Sequence, residues 1–259
     1  MHYPSLLRAT QNIMTVSGNR NIAIVGVGSL MSKSLAIWLA SLGWNIALVS
    51  RSEKNLSSIA NEVHQAQQGK GGKVVYRAAD AGEPTQLKAT LDWCVQKLGG
   101  KLDVLSYNAA RVSLSTITDI TPDELEQDLK ISAVGTLIAG QWFADGNANV
   151  DRIAEGEWPV FLVTGGILDK QPEEALASLS SAKAASQTVS RLFAKALPEK
   201  ANILVGMPLI SGRVVSRGDE GYSEEFDADR IVAAVFKPFF EDREKRPEGK
   251  EGWIVERVL

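Results

Sequence analysis

The chain has little cysteine, little histidine and no excess of either charge. One thiol, Cys94, leaves no partner for an internal disulfide and suits a reducing compartment. His2 lies in the opening segment and His64 among polar helix residues, so no cluster of histidine, cysteine and carboxylate has metal-ligand spacing and no metal is expected. A net charge of -3, with the basic residues scattered, gives no electrostatic footprint for nucleic acid or an anionic membrane. No apolar run nears the roughly 20 residues that cross a bilayer. Residues 1–20 are polar and mixed, without a signal-peptide core, and read as a flexible tail. The expectation is a cytoplasmic protein whose partner is a small molecule.

What is present is a rhythm. Short apolar runs at 21–27, 45–50, 73–79, 102–107, 159–164, 202–207 and 252–256 alternate with helical periods near 30–42, 54–68, 84–98, 122–143, 176–197 and 228–240. Such alternation predicts an α/β domain over 21–259, a doubly wound parallel sheet of seven strands covered on both faces. Two stretches break the rhythm. Residues 144–158 are polar and turn-rich and lengthen a connection, whereas 209–226, with glycines, serines and charges, suit a lid over a substrate.

After the first strand, Gly26-Val27-Gly28-Ser29-Leu30-Met31 turns into a helix. Small residues let backbone approach a pyrophosphate, and a helix start offers free amides and a positive dipole end; a plain tight turn would look the same. The second strand ends in Ser50-Arg51. An acidic residue there would bond the ribose of NAD, whereas Arg51 can pair with the 2′-phosphate of NADP(H) or simply be solvated. Asp80-Ala81 follows the third strand and Asn108-Ala109-Ala110 the fourth, where adenine and the nicotinamide-side ribose would pass a sheet of this order.

With these residues in place, the chain from Asn21 to Leu259 resembles the short-chain dehydrogenase/reductase superfamily. The resemblance implies a Rossmann-like sheet in the order 3-2-1-4-5-6-7 and a nicotinamide cofactor. The superfamily's glycine-rich turn falls on Val25 to Ser32, with Leu30 and Ser32 in place of the later glycines. Its adenine-contacting aspartate falls on Asp80, its Asn-Asn-Ala-Gly segment on Tyr107 to Ala110, and its Pro-Gly segment beside the nicotinamide on Pro208 and Leu209, next to Ile210. Its tyrosine and lysine, spaced four apart on one helix face, fall on Leu179 and Lys183; its serine falls nearest Gly166, beside Gly165, and its asparagine on Ser132. The family's lysine binds the ribose and lowers the pKa of a phenol that protonates substrate oxygen. Here the lysine stands without the phenol.

Asp169, after the fifth strand, is the expected substitute, as a proton donor or as a counter-charge, unless it is an exposed loop residue beside Lys170. Arg111 is expected to orient substrate or to be a surface charge, and Trp142 to line the pocket or a face shared with a second copy. The resemblance implies pairing through the long helices, as a homodimer or homotetramer. Hydride addition to an iminium gives a neutral amine directly, so the leading expectation is an atypical NADP(H)-dependent oxidoreductase acting on C=N⁺ in specialised metabolism. Alternatives are a cyclase or isomerase without net redox change, and a cofactor-binding protein without catalysis.

Overall fold

The alternation is realised in a computed structural model of the chain, which describes residues 19–244 and 250–259. Most of the expected tail therefore lies outside the described residues. Strands β1 (Asn21–Val25), β2 (Asn45–Ser50), β3 (Val74–Ala78), β4 (Val104–Tyr107), β5 (Val160–Val163), β6 (Gly165–Gly166), β7 (Leu204–Ile210) and β8 (Glu256–Val258) form one parallel sheet. The order is β3-β2-β1-β4-β5-β7, with β8 beside β7 and the two-residue β6 extending the line of β5. This is the expected order, with β7 and β8 as the sixth and seventh strands.

Both faces of the sheet are covered, so every residue of β1 is buried. The period of two divides them: Ile22 and Ile24 face the core under α1 (Met31–Ser41) and α2 (Glu53–Ala66), while Ala23 and Val25 face the core under α3 (Pro84–Leu98). The second core is closed by α5 (Gly135–Trp142) and α6 (Ala177–Lys200), with α4 (Pro122–Leu129) packed on α6. The first is closed by α7 (Ala228–Ile231) and α8 (Lys237–Arg243).

Some boundaries differ from expectation. β1 stops at Val25 because Gly26 turns at φ +86, a conformation that side chains disfavour. β7 continues to Ile210, so Leu209 and Ile210 belong to the sheet and not to a lid. The last strand begins at Glu256, since Gly252 is in a turn at φ +72 and the Trp253 indole donates to the Val205 carbonyl at 2.7 Å.

The helix expected over 122–143 is interrupted by a wide π-helical turn at Lys130–Val134. Its start is sharp, Thr121 and Glu124 forming a reciprocal cap. The wide turn has a local cause. The buried Tyr107 phenol crosses from β4 to donate to the Ile131 carbonyl at 2.5 Å, and a Cβ at Gly135 would stand 1.8 Å from that hydroxyl. Inserted groups of this kind interrupt a helical ladder.

At the amino ends of the strands, charges are gathered and paired. The Arg243 side chain is fully buried; Nε donates to the Trp158 carbonyl at 2.7 Å, and the guanidinium lies 3.6 Å from both Asp103 and Glu157. Arg20 clasps Glu157 with two bonds of 2.7 and 2.9 Å, Arg152 stands 3.7 Å from Asp103, and Asp103 accepts the Asn21 amide at 2.7 Å. Burial pushes the Asp103 carboxyl up, against the pull of Arg243 and Arg152.

Candidate active site

The carboxyl ends of the strands frame a cleft of about 290 Å³. Gly26 and Gly28 reach it from the first turn, Ser50 and Arg51 from β2, Asp80 and Ala81 beyond β3, and Asn108, Ala109 and Ala110 beyond β4. The structure thus brings most of the expected cofactor residues together. Gly26 is required twice over, by its φ and because a Cβ would lie 2.4 Å from the Ala109 amide nitrogen. At Gly28 a Cβ would meet nothing within 4 Å, which leaves room for a ligand against the backbone.

The start of α1 is open. Leu30 gives no side-chain cap and the first turn carries no acid, so the free amides and the positive end of the dipole suit an anion. Ser29, Leu30 and Met31 form this turn without lining the cleft. Arg51 is exposed, and no ion pair among the described residues engages it. The Asp80 carboxylate accepts the Gly82 amide at 2.8 Å. Ser52, Asn55 and Ile131 also line the cleft. All three were missed; the available signal for the first two is the helix start, where Ser52 accepts from the Asn55 amide at 3.3 Å, whereas Ile131 arrives from the wide turn and had no sequence signal.

Deeper in, a chain of polar contacts ties three strand ends to α6. Asn108 donates to Ser32 at 3.3 Å, Ser32 donates to the Gly26 carbonyl at 3.3 Å, and the Thr164 hydroxyl donates to Asn108. The Thr164 carbonyl accepts the Lys183 ammonium at 3.0 Å. Thr164 was missed, its hydroxyl at the end of β5 being the available signal. Lys183 is half-buried, and the protein packed around its ammonium lowers its pKa to about 8. No carboxylate among the described residues forms an ion pair with it. Leu179, one turn earlier on α6, is buried.

Ser132 is buried in the wide turn, its hydroxyl without a hydrogen-bond partner among the described residues. Gly165 and Gly166 leave no room for larger residues: a Cβ would stand 2.6 Å from Leu209 at the first and 2.9 Å from the Ile210 carbonyl at the second. Pro208, Leu209 and Ile210 accordingly belong to the wall where β7 meets β6, outside the cleft lining.

Asp169 is brought to Arg191 at 2.8 Å, and Arg191 also holds Glu256 at 2.6 Å. Arg191 lies two turns beyond Lys183, roughly 12 Å along α6 at about 1.5 Å per residue, so the carboxylate is anchored toward β8 rather than held at the lysine. Arg111 is likewise occupied: its Nε meets the buried Asp128 at 2.7 Å, and Ser178 donates to the other carboxylate oxygen at 2.5 Å. Asp128, missed in the sequence, joins α4, α6 and the loop after β4. Trp142 is neither pocket lining nor surface. It is buried between α5 and α3 with its indole donating to Asp92 at 2.7 Å, because α5 packs on α3. Beyond Arg111, Val112, Leu114 and Ile117 are exposed apolar residues of the loop after β4.

A sequence profile of the short chain dehydrogenase family matches residues 20–208. Versicolorin reductase 1 of Dothistroma septosporum is 29% identical over 112 residues, which are 43% of this chain and 41% of that protein. The chain spans about half or less of the length of the curated relatives it matches. Among solved structures, an alcohol dehydrogenase from the archaeon Thermococcus sibiricus, complexed with 5-hydroxy-NADP, superposes with a TM-score of 0.75 at 20% identity, covering 93% of this chain and 96% of that one. The NADH-dependent reductase A1-R', complexed with NAD, gives a TM-score of 0.72 at 16% identity, with 93% and 94% covered. At these identities the two structures establish the shared fold.

Proposed function

The chain belongs to the short chain dehydrogenase family, and on that footing we propose that it is an NADP(H)-dependent reductase of a carbon–nitrogen double bond on an apolar small molecule. The observation that carries this reading is Leu179, buried one turn before Lys183 where the resemblance calls for a phenol. A ketone reduced here would become an alkoxide with no phenol to protonate it. An iminium would become a neutral amine.

The cleft suits a dinucleotide. Gly28 and the uncapped start of α1 offer space and amides to a pyrophosphate, and unpaired Arg51 offers a guanidinium to a 2′-phosphate. Lys183 uses one N–H on Thr164 and keeps two, one for a ribose hydroxyl and one that faces the substrate side. When bound, the reduced nicotinamide supplies hydride. The residues beneath it hold and orient: Asn108 and Thr164 fix the lysine, and the exposed Val112, Leu114 and Ile117 after β4 offer apolar surface to the substrate's body. The loop over 211–223 follows β7 on the same side of the sheet and is suited to close over the substrate. The partly exposed Val134 and Leu137 and exposed Leu192 support pairing of copies through α5 and α6, which light scattering of the purified protein tests.

The activity test measures NADPH oxidation with a cyclic imine and with the matched cyclic ketone. The reading expects turnover of the imine and at least about 100-fold less of the ketone. Equal turnover would overturn it, and conversion of substrate without NADPH consumption would point to a template for cyclisation.

A further inference from the structure

Resting on the C=N reading above, we propose that the Lys183 ammonium is itself the proton donor of the site, delivering its proton to the nitrogen of a neutral imine. The substrate class is thereby widened from permanent iminium cations to imines that arrive uncharged; an imine nitrogen is basic enough to take the proton before hydride arrives, which a ketone oxygen is not, so the preference for C=N stands.

Leu179 carries no proton to give. The Thr164 hydroxyl already donates to Asn108, and the Ser132 hydroxyl is a far weaker acid than an ammonium. The Tyr107 phenol is turned away, bonded to the Ile131 carbonyl, and burial pushes its pKa far above the ordinary range. The carboxylates on adjoining elements are taken, Asp128 on α4 by Arg111 and Ser178, and Asp169 beyond β6 by Arg191. The partner that holds the Lys183 ammonium is the Thr164 carbonyl, and Leu179, one turn earlier on the same helix face, is apolar. Thr164 is bonded in turn to Asn108 of the cleft lining, so a substrate entering past Asn108 meets an ammonium with an N–H that neither Thr164 nor the ribose holds.

The surroundings also make this ammonium willing. Burial brings it to about 8, so near neutral pH it is protonated yet gives the proton up readily. In the step, the Nζ–H bond breaks and a bond from that hydrogen to the imine nitrogen forms, leaving a neutral lysine. A bound reduced nicotinamide would supply the hydride, with its two electrons, to the imine carbon, so that the amine and the oxidised cofactor result and water reprotonates the lysine. Positive charge moves from lysine to substrate, so the two cations never face each other. A guanidinium in the same place would hold its proton and leave a neutral imine unprotonated.

The test compares a cyclic imine with its N-methyl iminium salt, which needs no proton, using NADPH with native protein, Lys183→Arg and Lys183→Met. The native kcat on the imine should fall above pH about 8, while that on the salt should not fall. Both variants should lower the imine-to-iminium ratio of kcat by about 100-fold, a ratio in which weaker cofactor binding cancels. Equal losses on both substrates would overturn the proposal and leave Lys183 as a positioning group. If native protein binds NADPH but reduces neither substrate, the C=N reading fails and this proposal falls with it.

Discussion

The two ends of the sheet treat buried charge in opposite ways. At the amino ends, Arg20, Arg152 and Arg243 are interleaved with Asp103 and Glu157, each cation meeting at least one carboxylate. At the carboxyl ends, Lys183 has a backbone carbonyl for company, and the carboxylates within reach of its neighbours are held elsewhere. The first arrangement fastens the segment before β1, the connection before β5 and the end of α8 into one unit. The second holds a cation at a cost in stability, and what it gains is chemistry. Buried pairs are costly to break singly, whereas a lone buried cation is already bearing its desolvation.

The largest effect should come from breaking the paired end. Arg243→Met leaves Asp103 and Glu157 buried with fewer partners and should lower unfolding free energy by about 3–5 kcal/mol. Urea denaturation measures it, and a loss under 1 kcal/mol would show that water already supports these acids.

The next contrast probes the open end. Gly26→Ala puts a methyl against the Ala109 backbone at a positive φ and should cost about 2–3 kcal/mol, with NADPH binding weakened in the folded fraction. Unchanged affinity by fluorescence titration would mean that the turn yields without closing the cleft.

Lys183 should show its character in the pH dependence of stability. Its folded pKa, about 8, lies below the unfolded lysine value, so across that alkaline window the unfolded chain binds more protons and stability rises with pH. The buried Cys94 thiol, pushed up to about 12, acts in the opposite sense above its unfolded value. The lysine's share, on the order of 1–2 kcal/mol given its half-buried stem, is therefore read as the difference between native protein and Lys183→Met. Parallel curves for the two would mean that the ammonium is solvated.

The smallest effect concerns the rim. Arg51→Ala should weaken NADPH about tenfold and NADH little, since one exposed charge-assisted contact is removed. Equal losses for both cofactors would take the 2′-phosphate out of the account.

How far the sequence could be read follows from how local each signal was. Gly26, Arg51, Asp80 and Asn108 each stand at the end of a strand whose apolar run announces it, and the parallel order carries them to one cleft. The partners that decide the rest are distant in sequence. Asp169 finds Arg191 on α6, Trp142 finds Asp92 on α3, and Arg111 finds Asp128 only because α4 is laid against the loop after β4. Periodicity cannot name such pairs. Nor could it show the wide turn, which depends on a phenol arriving from the sheet.

That phenol and the glycine beneath it have a consequence for how this sequence can change. With Tyr107 in place, Gly135 admits no side chain at all, since a Cβ would fall 1.8 Å from the hydroxyl. Shrinking residue 107 first frees position 135, whereas enlarging 135 first is blocked. Mutational paths through this pair therefore run in one direction, and libraries that vary residue 135 alone should return glycine however large they are made.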